Sequence, residues 1–214
     1  MSGGGMTGGV TMRRRPAASG ALIAHLRSVT RPAHDRLEGG LGLLDELGVD
    51  AYRAVLSRLY GFWKGWQPQV AALLNDEPLT KPRRRLHLLA ADLTALGVSE
   101  EGLAALPPCP LTSLRSGAEA LGSLYVMEGS SLGGRIIRCN VERCLKDIGL
   151  ASCSYFNGYG DETGAMWRSF LARLDEVPAG DMEDIGRGAT ATFDCLGTWI
   201  SVRHHALEAS GNRR

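Results

Sequence analysis

The chain has 214 residues, a length that suits one domain built on a single hydrophobic core. Hydrophobic residues make up 44% and charged residues 22% of the sequence, which are ordinary values for a globular protein. The formal net charge is +1, and no apolar run in the sequence approaches the roughly 20 residues that span a bilayer. We therefore expect neither a nucleic-acid partner nor a membrane partner.

The two ends of the chain and its cysteines indicate where the folded part lies. Residues 1–20 are rich in glycine and arginine and lack the apolar segment of a signal peptide, so we interpret them as a disordered extension. Residues 21–209 are then one helical domain, and residues 210–214 are a tail. Five cysteines, an odd number without a Cys-x-x-Cys pair, argue against a disulfide framework and favour a cytoplasmic location.

The first half of the domain has a helical pattern. Apolar residues recur at intervals of three and four, the spacing of one helix face, beginning with a stripe from Leu22 to Leu37. A second amphipathic helix is predicted over residues 51–74. A third is predicted to begin after Pro82, which suits a first helical position, and to end at Gly97.

The second half of the domain contains three further predicted helices. Thr112 or Ser113 can cap a long helix that stops at Gly149. Helices then resume over residues 162–177 and 181–209. Helices joined by short loops, without strand-like alternation between them, predict an all-α, single-domain helical bundle.

The most unusual part of the long helix is a segment interrupted by Gly129, Gly133 and Gly134. Each glycine inside a helix costs about 1 kcal/mol relative to alanine, so we expect a reason for their presence. Gly129 and Gly133 are four residues apart and leave one helix face bare, against which a flat ligand or another helix can lie. The hydroxyls of Ser130 and Ser131 beside that face favour the ligand.

One of the five histidines is a candidate metal ligand. His34 has Glu38 one helical turn later, and a carboxylate at that spacing can fix the tautomer of a metal-binding imidazole. His25 lies nine residues earlier, about 180° around the helix, so periodicity alone does not choose between the two histidines. We select His34 because of Glu38; the alternative is a half-buried histidine on the flank of the helix.

These two motifs resemble a known family. His34 within residues 29–38 resembles the proximal-helix histidine of heme oxygenases, and residues 125–135 resemble the glycine-rich distal helix of that family. The turn at residues 156–160 resembles the bacterial branch that is often found beside bacteriophytochromes. The resemblance covers residues 20 to 205 and implies an all-α bundle in which heme is sandwiched between a proximal and a distal helix.

The resemblance also implies a role for each candidate residue. His34 is expected to be the axial iron ligand, with Glu38 as the group that orients it. Gly129 and Gly133 are expected to form the roof over the heme, and Gly134 is expected to belong to the heme-binding residues. Four side chains are expected to face the heme propionates: Arg27, Arg31, Tyr125 and Arg168. For the arginines, a solvated helix face is the alternative, because exposed charge commonly means only solvation.

One position departs from the family pattern. Many members have an aspartate directly after the first distal glycine, where it holds a water network near bound dioxygen, whereas this sequence has Ser130 there. A hydroxyl can hydrogen-bond water, but it carries no charge and reaches less far than a carboxylate. We therefore expect Ser130, with Gly129 and Gly133, to form the catalytic set. The departure bears on the position of attack on the heme edge more than on heme binding.

The function implied by the resemblance is cleavage of heme to biliverdin, carbon monoxide and ferrous iron, with heme as both cofactor and substrate. This reaction requires dioxygen and electrons. The electrons are expected from an external donor, a ferredoxin or a reductase, because the sequence has no Rossmann or flavin fingerprint. A bacteriophytochrome is an expected recipient of the biliverdin. Two alternatives stay open on the sequence: a heme carrier or sensor without turnover, and a non-heme enzyme on the same architecture.

Overall fold

A computed structural model describes residues 18–40, 48–111, 114–145 and 153–201. In these ranges every regular element is a helix, which confirms the predicted all-α class. The α-helices are α1 (Ala18–Gly40), α2 (Val49–Leu74), α3 (Glu77–Thr80), α4 (Leu86–Ala95), α5 (Glu100–Ala105), α6 (Gly117–Leu145), α7 (Ser154–Asn157), α8 (Thr163–Leu174) and α9 (Met182–Ser201). None of the helices that the structure describes is long and apolar enough to cross a membrane.

The third predicted helix differs from the observed structure at its start. Pro82 lies in a short 3₁₀ helix, and α4 begins only at Leu86. Between them the backbone of Arg84 is extended, while the guanidinium groups of Arg83 and Arg85 are both buried and ion-paired. The burial of these two side chains accompanies a break in the helix that proline placement alone does not predict.

The predicted ends of the domain are described only in part. The first helix already begins at Ala18, so residues 18–20 are helical rather than part of the predicted extension. Several other predicted features lie outside the described residues: the caps Thr112 and Ser113, the stop at Gly149, the extension over residues 1–17, and everything after residue 201.

The core is built around α2, whose predicted apolar stripe is buried. Trp63 and Trp66 are almost fully enclosed, and each indole nitrogen donates a hydrogen bond to a buried partner. Trp63 Nε1 donates to the Tyr155 hydroxyl at 2.9 Å, and Trp66 Nε1 donates to Ser123 Oγ at 2.7 Å. These bonds satisfy the polar ends of large aromatic side chains and fix α2 against α6 and α7.

The last helix, α9, packs along both α6 and α1 and so connects the two helices that carry the candidate site. Glycines permit its close approach to α6. A Cβ added at Gly122 would overlap the carbonyl oxygen of Ile185, and one added at Gly188 would overlap the carbonyl oxygen of Glu119. The two backbones are therefore in direct contact, which leaves no room for a side chain at either glycine.

The replacement Gly188→Ala should lower the free energy of unfolding by at least about 2 kcal/mol, because the new methyl group meets backbone atoms that cannot move aside. The matched control is Gly197→Ala on the same helix, where a Cβ meets nothing within 4 Å. There alanine should stabilise the protein by up to about 1 kcal/mol through helix propensity. Urea denaturation of both variants measures the difference, and equal stabilities would contradict the close crossing.

Candidate functional site

The candidate ligands on α1 form one stripe. Arg27, Arg31, His34 and Glu38 are spaced by four, three and four residues, which keeps them within about 60° of each other around the helix. Arg27, Arg31 and His34 are all exposed, whereas the apolar residues of α1 pack into the core on a different face. The stripe is thus available to a ligand that lies beside α1.

The imidazole of His34 is supported on one side and open on the other. Its ring meets the ring of Phe193 on α9 edge-on, with 5.8 Å between the centroids, and half of the His34 side chain remains exposed. His34 Nδ1 lies 3.9 Å from a carboxylate oxygen of Asp35. The side chain of Glu38 lies outside the described part of the chain, so its predicted contact with His34 stays a prediction.

The other candidate, His25, lies on the far side of α1. Its Nε2 is buried without a hydrogen-bond partner in the described part of the chain. A Cβ added at Gly186 would lie only 2.6 Å from that nitrogen, so the imidazole of His25 fills the space where α1 crosses α9. The structure therefore assigns His25 to helix packing and leaves His34 as the exposed histidine of α1.

On α6, the predicted bare face is present. A Cβ added at Gly129 or Gly133 meets nothing within 4 Å. Leu132 and Ile136 flank this face and are 48% and 67% exposed, and they are the exposed large hydrophobic side chains of the described residues. An exposed apolar patch on an otherwise buried helix is typical of a ligand-binding surface. The four residues fit a flat apolar ligand that lies against the helix backbone.

A polar contact joins the two helix faces. The Arg27 guanidinium lies beside the Tyr125 hydroxyl, and the Tyr125 ring contacts Trp167 with 5.7 Å between the centroids. Burial raises the pKa of Tyr125 above its usual range, although the charge and hydrogen bond of Arg27 oppose this shift. From this contact, His34 lies about 10 Å along α1 and Gly133 about 12 Å along α6. This contact is compatible with one cleft between α1 and α6, bordered by the imidazole and the bare face.

The serines beside the glycines direct their hydroxyl protons to the helix itself. Ser130 Oγ donates to the carbonyl oxygen of Met127 at 2.8 Å, and Ser131 Oγ donates to that of Glu128 at 2.6 Å. Ser130 is exposed, so its oxygen can still accept a hydrogen bond from water. Ser130 is therefore suited to hold a water molecule near the cleft.

Gly134 and Arg168 are the two remaining residues that were predicted to contact heme. Gly134 is buried, and a Cβ there would lie 2.6 Å from the carbonyl oxygen of Phe156, so this glycine permits α7 to pack against α6. It points about 100° away from Gly133, outside the bare face, and its predicted contact with heme stays a prediction. Arg168 is exposed on α8, next in sequence to Trp167, and its contact with a propionate stays a prediction.

Sequence reasoning missed a buried cluster beside the glycines. Glu128, directly before Gly129, is enclosed in the core with Arg83, Arg85 and Tyr159 around its carboxylate. A charged residue at the end of the apolar run Leu124 to Met127 was the available signal, because such a residue is rarely buried unless it is paired.

The exposed side chains of α1 and the bare face of α6 are typical of a heme-binding protein. A helical bundle with an exposed imidazole and two exposed arginines on one helix, and a bare, apolar face on another, is suited to hold heme, which is flat, apolar and anionic at one edge. The family model "Heme oxygenase" matches residues 20–201 of the chain. A heme oxygenase from Xanthomonas campestris pv. campestris (strain 8004) is 35% identical over 171 residues, which cover 76% of this chain and 94% of that protein.

Solved structures have the same fold. A heme oxygenase from Leptospira interrogans aligns with a TM-score of 0.70 at 16% identity, over 85% of this chain and 98% of its own. Heme oxygenase-1 from the cyanobacterium Synechocystis sp. PCC6803, solved in complex with heme, aligns with a TM-score of 0.69 at 16% identity, over 89% of this chain and 96% of its own. With the family match over nearly the whole described chain, this protein belongs to the heme oxygenase family.

Proposed function

We propose that heme binds in the cleft between α1 and α6, with His34 as its axial ligand, and is cleaved there to biliverdin, carbon monoxide and ferrous iron. The observation that carries this assignment is the contact between Arg27 and Tyr125. Arg27 belongs to the stripe that contains His34, and Tyr125 precedes Gly129 on α6, so this contact supports one cleft bordered by the stripe and the bare face. The exposed imidazole then has a flat apolar surface opposite it.

The residues of the cleft have separate tasks in this proposal. The bare backbone at Gly129 and Gly133 lets one face of the heme approach α6, and Leu132 and Ile136 contact the porphyrin. Two groups of side chains bind the propionates through charge and hydrogen bonds: Arg27 and Arg31 from α1, and Tyr125 from α6. Bound heme supplies the iron at which dioxygen is bound and reduced. Ser130 holds a water molecule beside that position.

The partners follow from the same chemistry. We propose that electrons come from a separate ferredoxin or reductase, since the sequence contains no flavin or nicotinamide-binding fingerprint. The resemblance to the bacterial biliverdin-producing branch supports a bacteriophytochrome as the recipient of the product. A cytoplasmic location is supported by the odd number of cysteines, which form no disulfide in the part of the chain that the structure describes.

The decisive experiment has two stages. In the first, hemin is titrated into the purified protein, and a 1:1 complex is expected from the Soret absorbance. In the second, ascorbate or reduced ferredoxin and air are added, and bilin and carbon monoxide are measured. Hemin binding without bilin would favour a heme carrier, and a failure to bind hemin would contradict the assignment of the cleft.

Substitution of Ser130 by alanine should leave hemin affinity within about twofold and slow bilin formation by less than about tenfold, or 1.4 kcal/mol. The reason is that a neutral hydroxyl contributes one hydrogen bond to water, while its proton already serves the carbonyl of Met127. Ser131→Ala is the matched control and should leave both hemin affinity and bilin formation unchanged. The Ser131 hydroxyl donates to the backbone carbonyl oxygen of Glu128, and its Cβ faces the turn at Gly158. A thousandfold loss in Ser130→Ala would instead make Ser130 an essential proton relay.

A further inference from the structure

The cluster around Glu128 connects the glycine-rich segment to the rest of the bundle. We call it the buried anchor and define it as Arg83, Arg85, Glu128 and Tyr159. Arg83 Nε lies 3.2 Å from Glu128 Oε2, and Arg85 Nη2 lies 3.5 Å from Glu128 Oε1. The Tyr159 hydroxyl donates a hydrogen bond of 2.6 Å to Glu128 Oε1. The side chains of the three charged residues are at most 4% exposed.

The buried anchor reaches four other parts of the fold. Arg83 donates through Nη1 to the carbonyl oxygen of Leu79 in α3 at 2.8 Å, and through Nη2 to that of Met166 in α8 at 3.2 Å. The Arg85 guanidinium, just before α4, lies over the Tyr159 ring at 4.3 Å. Glu128 thereby links α6 to the segments around α3, α4 and α8 and to the turn before α8.

Stability alone does not account for this arrangement. Two guanidinium groups surround one carboxylate, and Arg85 Nε is buried without a hydrogen-bond partner among the described residues. Buried ion clusters of this kind are commonly no more stabilising than apolar side chains of the same volume, because desolvation offsets the attraction between the charges. What a satisfied carboxylate supplies instead is direction, since each of its partners must lie at hydrogen-bond distance.

Few side chains fix the position of the segment that follows Glu128. Gly129 and Gly133 have no side chains to pack, and Ser130 and Ser131 bond back to carbonyls three residues earlier, a pattern that bends helices. On the side away from the cleft, a Cβ at Gly158 would come within 4 Å of both Arg85 and Ser131. The contacts that locate this stretch of α6 thus come from the buried anchor, from the turn beside it, and from Gly134, whose backbone lies against Phe156 of α7.

From this placement we infer that Glu128 is a positioning residue for heme cleavage: held by Arg83, Arg85 and Tyr159, it fixes the backbone of residues 129–133 at the distance from α1 that the heme requires. The inference rests on the proposed function, because it assumes that heme lies against this backbone. Burial raises the pKa of Tyr159 to about 12, so its hydroxyl remains a donor to Glu128 at any assay pH below that value.

Tyr159→Phe is the variant that tests the inference, with Tyr155→Phe as its matched control. Each change removes one phenolic hydroxyl and one hydrogen bond, from a half-buried residue at Tyr159 and from a buried one at Tyr155. Only Tyr159 touches Glu128, whereas Tyr155 accepts from Trp63. The two variants should therefore lose similar amounts of global stability. Glu128→Gln is less suitable, because it leaves two buried guanidinium groups without a counter-charge and is expected to unfold the protein.

The first measurement is hydrogen exchange of the apoprotein, which needs no heme. Amides in residues 126–136 should exchange about tenfold faster in Tyr159→Phe, the effect of losing about 1.4 kcal/mol of local protection. In Tyr155→Phe, the same amides should stay within about twofold of the wild type. Unchanged exchange in Tyr159→Phe, or equal increases in both variants, would overturn the inference.

The second measurement separates positioning from binding. In Tyr159→Phe, bilin formation should slow by about three- to tenfold while the hemin Kd changes less than about twofold, and Tyr155→Phe should leave both unchanged. A loss of hemin affinity in step with the rate would contradict a positioning role. If the wild type fails to bind hemin, the proposed function fails, whereas the exchange experiment still decides whether the buried anchor holds the glycine segment.

Discussion

Replacement of His34 by alanine is expected to abolish the axial ligation of hemin and to lower bilin formation by more than about a hundredfold. Loss of a group that merely orients a metal ligand lowers metal affinity or activity by about 10–100-fold, and His34 would be the ligand itself. The imidazole is half exposed, so its removal should leave the apoprotein folded. The measurement is the absorption spectrum of the hemin complex, followed by turnover.

Two other histidines provide controls for His34→Ala. His87 is exposed on α4, and His87→Ala should leave both the spectrum and the rate of bilin formation unchanged. His25 lies against Gly186 on the far side of α1, so His25→Ala should affect stability more than the spectrum. A hemin spectrum that survives in His34→Ala and is lost in His25→Ala would reverse the assignment of the ligand.

The second large effect is expected at the bare face of α6. Gly133→Leu should weaken hemin binding by at least about a hundredfold, or 2.8 kcal/mol, because the new side chain occupies the space against which the heme lies. The apoprotein should become slightly more stable, by up to about 0.8 kcal/mol. Nothing lies within 4 Å of a Cβ at this position, and leucine forms helices better than glycine does.

Gly134→Ala is the control for Gly133→Leu, because Gly134 lies on the face of α6 that packs against α7. Its methyl group would lie 2.6 Å from the carbonyl oxygen of Phe156, so this smaller change should destabilise the apoprotein. Hemin titration and thermal unfolding of the two variants should give opposite patterns. If Gly133→Leu unfolds the apoprotein, then Gly133 serves helix packing, and the ligand assignment of that face is wrong.

The helical class and the main helix spans could be predicted because amphipathic periodicity is a local property. The stripe of α2 and the start of α8 follow directly from the spacing of apolar residues. The start of α4 could not be predicted in this way. There the burial of Arg83 and Arg85 beside Glu128, far away in the sequence, accompanies an extended backbone at Arg84.

The same distinction separates the parts of the candidate site. The spacing of Gly129 and Gly133 predicts a bare face, but it does not say which of three nearby glycines meets a ligand and which meets another helix. Gly134 belongs to helix packing because α7 approaches from its side, and only the three-dimensional arrangement contains that information. The contact between Arg27 and Tyr125 likewise depends on how α1 and α6, which are far apart in the sequence, lie in space.

The exposed apolar face of α6 also affects how long each molecule survives. Without heme, Leu132 and Ile136 leave an exposed apolar patch that favours aggregation with other chains. A ligand that binds only the folded state stabilises it by about 2.7 kcal/mol at a concentration one hundred times its Kd. Heme bound on this face would therefore slow unfolding and degradation, so that the abundance of the protein rises and falls with the supply of its own substrate.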